Sequence, residues 1–173
     1  MQGNNFIALL DSSVLAPMPV ADTLLRLSEE RCFYLPRWSN QILDELHRTL
    51  RGGFGYSAEQ AARRVRVMRE DFPESIVTGY EELIPAMNNH VLAAAVRCGA
   101  QVIVSDDKRH FPAGVLAQYS MECLTSGEFL EHQYHLDRDA FISIIVSQAA
   151  DIRKPLGWVL TRLPKSVADL IKP

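Results

Sequence analysis

The sequence predicts an α/β protein with a central parallel sheet, and three observations support this class. Short apolar runs alternate with amphipathic helical segments, which is typical of parallel strands joined by helices. Val102-Ile103-Val104 is a β-branched run of the kind that is buried on both faces of a parallel sheet. From about Glu131 the pattern becomes helical only. We therefore expect a sheet-containing domain over 1–130 and a helical C-terminal extension over 131–173.

The first elements follow from apolar runs and their breaks. Phe6 to Leu10 predicts the first strand, with Asp11 at its carboxyl end. Val20 to Arg31 has apolar residues at helical spacing and predicts the first long helix. Cys32 to Leu35 predicts a second strand that is closed by Pro36.

Two helices carry capping signals. Ser39 is predicted as the N-cap of a helix on which Glu45 lies about one residue round from the apolar stripe. Ser57 and Gln60 form a capping-box pattern at the start of a helix to about Asp71. The stretch between the two helices, Gly52-Gly53-Phe54-Gly55, predicts a loop.

The remaining strands lie on either side of an alanine-rich helix. Ser75 to Gly79 predicts the third strand, and the helix from His90 to Cys98 is followed by Gly99, which suits a left-handed C-cap. The fourth strand is predicted over Gln101–Val104. The fifth is predicted over Met121–Thr125, with the next helix beginning at Ser126 or Gly127.

The composition is that of an ordinary globular protein. Of the 173 residues, 47% are hydrophobic, and the net charge is −3. No apolar run approaches the roughly 20 residues of a membrane span, and the first residues do not resemble a signal peptide. Cys32, Cys98 and Cys123 are too widely spaced to form a C-x-x-C pair. We expect a cytoplasmic protein with reduced thiols and no membrane contact.

Acidic residues recur where strands of the predicted sheet end. Asp11 follows the first strand, Asp106 and Asp107 follow the fourth, and Glu45 lies on the second long helix. Carboxyl ends of strands are where open α/β folds place their ligands. From the residues alone, a metal site and solvated strand-end acids remain equally open. A metal site with oxygen ligands and no His/Cys cluster would favour Mg²⁺, or Mn²⁺, over zinc.

Other acid-bearing α/β sites fit less well. A phosphatase of the Asp-x-Asp type needs a second carboxylate where Ser13 stands. A dinucleotide site needs its glycines directly after a strand, whereas Gly52 to Gly55 follows a helix. A phosphate-binding P-loop and a nucleophile-elbow serine are both absent from the sequence.

Three segments together resemble a PIN domain, most closely ribonuclease toxins of the VapC type. They are Phe6–Leu15 (FIALLDSSVL), Ser39–Leu50 (SNQILDELHRTL) and His90–Pro112 (HVLAAAVRCGAQVIVSDDKRHFP). The resemblance covers about residues 5–130. It implies a PIN-like three-layer fold, Mg²⁺-dependent endonucleolytic cleavage of single-stranded regions of RNA, and a cognate antitoxin that holds this activity in check.

The resemblance also implies a set of site residues. Asp11, Glu45 and Asp107 match the catalytic and metal-binding acids, and Asp106, beside the last of them, is a further candidate metal ligand. The positions that support the metal shell are occupied by hydroxyl side chains, Ser13 and Ser105.

One position departs from the family pattern. An aspartate normally stands two residues before the histidine of the alanine-rich helix, and this chain has Asn88 there. The segment Ile84–Asn89 is also shorter than in family members. The alternative function is therefore a catalytically weakened PIN module that binds RNA or a protein partner without cutting.

The remaining candidates are basic residues, one histidine and the C-terminal helices. Lys108, Arg109 and Arg48 are the candidates for RNA contact, with pairing to acids of the antitoxin as the alternative for Arg48. For His90 a structural role at the helix start is favoured over a proton shuttle, and the arginines of the Ser57–Asp71 helix are interpreted as a solvated face. The C-terminal helices most simply cover the sheet domain, and a homodimer or antitoxin surface is the alternative.

Overall fold

The computed structural model describes residues 5–30 and 32–172, which form an α/β fold around a five-stranded sheet. The strands are β1 (Ile7–Leu10), β2 (Leu35–Ser39), β3 (Ile76–Val77), β4 (Val102–Val104) and β5 (Glu122–Leu124). The helices of this part of the chain are α1 (Ser12–Leu15), α2 (Val20–Glu30), α3 (Asn40–Gly53), α4 (Ala58–Asp71), α5 (Ile84–Met87), α6 (His90–Cys98), α7 (Ala113–Leu116), α8 (Ser126–Leu136), α9 (Arg138–Asp151), α10 (Leu156–Leu160) and α11 (Lys165–Ile171).

The sheet is parallel throughout and has the strand order β3-β2-β1-β4-β5. Strand β1 lies at its centre between β2 and β4, and α6 packs against all three. Val102, Ile103 and Val104 are fully buried, as the β-branched run predicts. The α/β class with a parallel sheet and a C-terminal helical extension is therefore confirmed. The chain continues from β1 to β2 on one side and returns to β4 on the other, so β1 and β4 flank the topological switch point.

The predicted second strand is wrong in its position. Strand β2 begins at Leu35 and includes Pro36, rather than ending before it. The N–H of Leu35 donates to the carbonyl of Phe6, so the missing N–H of Pro36 falls on the opposite side of the strand. On that side β3 pairs only with Trp38 and Ser39, and the proline leaves no ladder bond unmade. The predicted helix end at Arg31 lies outside the described residues.

The capping signals are confirmed. The Ser39 hydroxyl accepts from Ile42 N–H, and Ser57 and Gln60 form the reciprocal capping box. Gly99 is in the left-handed conformation, with φ 68°, and ends α6. The loop predicted from Gly52 begins later, because α3 continues to Gly53.

The C-terminal helices are joined to α2 by buried polar contacts. The side chain of Gln148, on α9, is fully buried. Its Nε2 donates to the carbonyl of Pro19 at 3.0 Å, and its Oε1 accepts from the Thr23 hydroxyl at 2.8 Å. Both ends of the amide are thus satisfied, as a buried polar group requires. Farther along the chain, α11 packs against α8.

Helix α8 runs through Leu130, where the boundary between domain and extension is predicted, and the division into 1–130 and 131–173 stays a prediction. Within the described ranges, no helix has the length and apolar character needed to cross a membrane.

We predict that Gln148→Ala destabilises the protein by about 1–3 kcal/mol, because it leaves the buried Pro19 carbonyl and Thr23 hydroxyl with fewer partners. The free energy of unfolding from urea titration measures this change. Gln118→Ala, at an exposed position, is the matched control and should shift stability by no more than about 0.5 kcal/mol. Equal free energies of unfolding for the two variants would show that the contacts of Gln148 with Pro19 and Thr23 do not stabilise the protein.

Candidate functional site

A cavity of about 520 Å³ lies at the carboxyl edge of the sheet. It receives side chains from the ends of β1 and β4, from α3 and from the start of α6. Among its lining residues are Asp11, Ser13, Glu45, Asn88, His90 and Asp107. The three acids that the sequence predicts as a site, and the position of the missing fourth, therefore share one cavity.

Asp11 is buried between two serine hydroxyls. It caps α1, and its Oδ1 accepts from the N–H of Ser12 at 2.8 Å. Its Oδ2 accepts from Ser13 Oγ at 2.9 Å and from Ser105 Oγ at 2.7 Å. Three donors thus fix the orientation of this carboxylate.

The two serines are themselves oriented by the backbone that follows β4. Ser13 Oγ accepts from the N–H of Asp106 at 3.1 Å, and Ser105 Oγ accepts from the N–H of Asp107 at 3.2 Å. Each hydroxyl that accepts a backbone N–H is left with its own hydrogen to donate to Asp11. The structure therefore places Ser13 and Ser105 as supports of the first acid.

Glu45 is held by a histidine. The Nε2 of His90 and the Oε1 of Glu45 lie 2.7 Å apart, and because a carboxylate oxygen only accepts, Nε2 carries the hydrogen. The helix start itself is capped by Asn89, whose Oδ1 accepts from the N–H groups of Val91 and Leu92. His90 therefore lines the cavity and contacts Glu45, whereas the sequence favoured a structural role for it at the helix start. No local pattern could reveal this contact, since 45 residues separate the pair.

Asp107 and Asp106 point to different places. Asp107 lines the cavity and pairs with Arg109, whose Nε lies 2.9 Å from Oδ1, and with His110 at 3.2 Å. The hydrogen bond from Arg109 lowers the pKa of the Asp107 carboxyl. Asp106 accepts instead from the N–H and hydroxyl of Ser126 at the start of α8. The structure does not bring Asp106 into the cavity with the other acids.

Asn88 lies on the cavity wall in a left-handed conformation, with φ 50°, where it ends α5. Asparagine is one of the few residues that adopt this conformation readily, because its short polar side chain can interact with the local backbone. Its amide oxygen is an uncharged ligand candidate at the position of the missing acid.

The predicted RNA-contact residues differ in their surroundings. Lys108 pairs with Glu128 at 2.8 Å, and this hydrogen bond raises the pKa of the lysine. Arg109 pairs with Asp107. Arg48 is exposed and, within residues 5–30 and 32–172, forms no ion pair. Two of the three cations are therefore engaged by acids, and Arg48 is available.

Arg64 does not lie on the solvated face that its helix suggests. It is partly buried, and its guanidinium donates to the carbonyls of Leu15 and Ala16, where α1 ends. Burial lowers its pKa. Arg64 thus fixes the turn that follows Asp11.

The oxygen atoms of the side chains in this cavity are suitable ligands for a hard divalent cation. The side chains do not lie close enough together to form a complete metal site. Asp11, Glu45 and Asp107 offer carboxylate oxygens, and Asn88 offers an amide oxygen. Across the described residues, no group of three or more His, Cys, Asp and Glu side chains lies close enough to hold a metal ion. The three carboxylates are bonded instead to serine, histidine and arginine donors.

Part of the chain is similar to a known protein. Over 73 residues the chain is 44% identical to a protein of Mycobacterium tuberculosis with the name "Putative ribonuclease VapC50". The match covers 39% of this chain, which spans 43% of that relative. The chain is similar to a VapC-type protein. No protein-family profile matches it, and no solved structure does.

The VapC-like resemblance predicted from the three motifs is thereby confirmed, and the five-stranded parallel sheet flanked by helices is consistent with a PIN-like fold. The chain covers less than half of the relative.

We predict that Arg109→Ala raises the pKa of Asp107 towards its ordinary value, because the guanidinium is the main cause that lowers it. A ¹³C-NMR titration of the carboxyl carbons measures this shift. Asp169, whose pKa is lowered by Lys172, serves as an internal control and should titrate as before. An unchanged Asp107 pKa would show that the ion pair is not formed in solution.

Proposed function

We propose that this chain is a metal-dependent endoribonuclease and the toxin of a toxin–antitoxin system. The observation that carries the proposal is the convergence of Asp11, Glu45 and Asp107, from three separate elements, on one cavity. The similarity to a protein whose name describes a ribonuclease supports the choice of an RNA phosphodiester as the bond to be cut.

In this proposal Mg²⁺, or Mn²⁺, is the cofactor, held by Asp11, Glu45 and Asp107 with Asn88 as an uncharged neighbour. When bound, such a cation supplies an activated water and offsets the negative charge that develops on the phosphodiester. The residues around the acids have separate tasks. Ser13 and Ser105 orient Asp11, and His90 orients Glu45.

The cavity is lined by negative charge, so RNA can approach it only when a cation offsets that charge. Asp11 is buried and is bonded only to neutral donors among the described residues. A phosphodiester that enters beside it meets a like charge, which is unfavourable unless a cation lies between the two groups. This requirement favours a metal-dependent reaction over one that uses the protein acids alone.

The partners in this proposal are an RNA substrate and a cognate antitoxin in the cytoplasm, with a homodimer as a further expectation. These partners rest on the VapC resemblance. The test is a pull-down of this chain with the product of an adjacent small reading frame: a stable complex would support the antitoxin, and its absence would contradict it.

We predict that Asp11→Asn lowers Mg²⁺-dependent RNA cleavage by at least about 100-fold, because the variant loses a ligand charge at the centre of the site and loss of an outer-shell partner alone costs about 10–100-fold. Asparagine is also a good N-cap, so the circular-dichroism spectrum should not change. Cleavage of a fluorescent single-stranded RNA measures the effect.

Asp44→Asn is the matched control for this experiment. Asp44 precedes Glu45 on α3 but is exposed, and it pairs with Arg69 outside the cavity. Its substitution should leave cleavage unchanged. Full activity in Asp11→Asn, or an equal loss in Asp44→Asn, would overturn the assignment.

Asn88 favours a second candidate function, a PIN module that binds RNA or a protein partner with little or no cleavage. This residue replaces the acid expected on the cavity wall, and fewer ligand charges weaken a divalent site. The two candidates differ in the cleavage rate of the chain as it stands.

We predict that Asn88→Asp tightens Mn²⁺ binding about tenfold, because it adds a carboxylate to the cavity and aspartate also accepts a left-handed conformation. Calorimetric titration of the natural chain and the variant measures this change. Asn40→Asp, at the exposed start of α3, is a control of equal charge. The second candidate is correct if only Asn88→Asp cleaves RNA, and equal metal affinities would show that position 88 is not a ligand.

A further inference from the structure

We propose that a second cavity binds the sugar–phosphate backbone of the RNA strand that enters the acidic cavity. This cavity, the α3–α4 groove, has a volume of about 460 Å³ and is lined by His47, Arg48, Arg51, Gly52 and Tyr56. The inference rests on the proposed function, since it names the path of that function's substrate.

A single stripe of α3 connects the two cavities. Gln41 and Glu45 line the acidic cavity, whereas Arg48 and Gly52 line the α3–α4 groove. Their spacing of four, three and four residues places all four on the same side of the helix. At about 1.5 Å per residue, Arg48 lies about 4.5 Å and Gly52 about 10 Å along the axis from Glu45. A strand that continues from the acidic cavity along α3 therefore passes through the groove.

The groove contains cations that are free to bind phosphate. Arg48 and Arg51 are exposed and have no ion pair within the described ranges. Lys108, by contrast, is held by an acid at 2.8 Å. A guanidinium binds a phosphate through two parallel hydrogen bonds, and an unpaired one does so without first breaking an ion pair.

The groove has room for a ligand. A Cβ added at Gly52 would meet no atom within 4 Å, so the floor is open at this point. Tyr56, which also lines the groove, is half-buried and packs against the hydrophobic core. The volume falls within the range of about 300–1,000 Å³ that is usual for ligand cavities.

An acidic peptide is the other class of ligand that free arginines attract. A nucleic-acid strand is favoured here, because the stripe that carries Arg48 also carries Glu45. An acidic segment that follows this stripe would meet the carboxylates of the first cavity. An RNA strand would meet the same carboxylates, but the cation that the proposed reaction requires would offset their negative charge.

The test measures RNA binding separately from cleavage. Fluorescence anisotropy reports the binding of a 12-nucleotide single-stranded RNA to the Asp11→Asn variant of this chain, which is not expected to cut the probe. Adding Arg48→Ala and Arg51→Ala should weaken binding roughly tenfold and reduce the salt slope of log K by about 1.4, or about 0.7 per lost phosphate contact.

Two further variants control for indirect effects. Gly52→Glu adds a carboxylate to the open floor and removes no existing side-chain contact, so it should weaken 12-mer binding in the same way. Arg63→Ala with Arg66→Ala removes two exposed arginines of α4 outside the groove and should change affinity less than twofold.

The groove assignment is overturned if the Arg48/Arg51 variant binds the 12-mer normally, if the Arg63/Arg66 variant loses as much affinity, or if the parent protein does not bind the 12-mer. It is also overturned if a poly-glutamate peptide binds through Arg48 and Arg51 while the RNA does not, which would indicate an acidic protein partner. The two proposals can fail separately. If Arg48→Ala with Arg51→Ala weakens 12-mer binding but the unsubstituted chain never cleaves RNA, the groove assignment holds and the nuclease function is wrong. If the unsubstituted chain cleaves RNA but the arginine variant binds the 12-mer normally, the nuclease function holds and the groove assignment is wrong.

Discussion

The parallel register between β1 and β4 is the constraint on which the candidate site depends. Leu10 pairs with Val104, and the N–H of Asp11 donates to the Val104 carbonyl. The next residues of the two strands, Asp11 and Ser105, therefore leave the sheet side by side, and the serine donates to the carboxylate. A register shift of one residue would turn the side chains of β1 to the opposite face. Burial of the β4 side chains on both faces makes such a shift costly, so the hydrophobic core also positions the central acid.

The acids of the cavity accept hydrogen bonds from different kinds of donor. As a result, the negative charge is neutralised at some of them and not at others. Asp11 is held by neutral hydroxyl and amide groups, whereas Asp107 is paired with the cationic Arg109. The uncompensated negative charge is therefore concentrated at the buried end of the cavity. Lys108 and Arg109 are occupied by acids near the exposed end. Free positive charge for a polyanion is consequently found beyond the cavity, along α3.

Local signals in the sequence predicted local structure well. The hydroxyl caps at Ser39 and Ser57 and the glycine stop at Gly99 depend on residues within one helical turn, and all three are confirmed. The predicted position of β2 is wrong because a strand accepts a proline where its missing N–H faces no partner strand. At Pro36 this depends on how far β3 extends along β2, which only the tertiary structure shows. The family resemblance predicts Asp11, Glu45 and Asp107 as the acids of one site, and in the structure all three line one cavity. It ranks Asp107 above Asp106 but gives no reason for the difference, which lies in tertiary contacts: Asp106 accepts from Ser126, whereas Asp107 lines the cavity and pairs with Arg109.

The left-handed backbone at Asn88 has a consequence for how this chain can change over time. Most side chains are strained in that conformation, and asparagine and aspartate are the non-glycine residues that tolerate it best. The two differ only in an amide group against a carboxylate oxygen, so exchange between them leaves the fold of the segment intact. The charge of the cavity is thus adjustable by one substitution at an exposed position that the core does not constrain. Under the proposed function, exchange between asparagine and aspartate at this position would strengthen or weaken the site without a compensating mutation elsewhere.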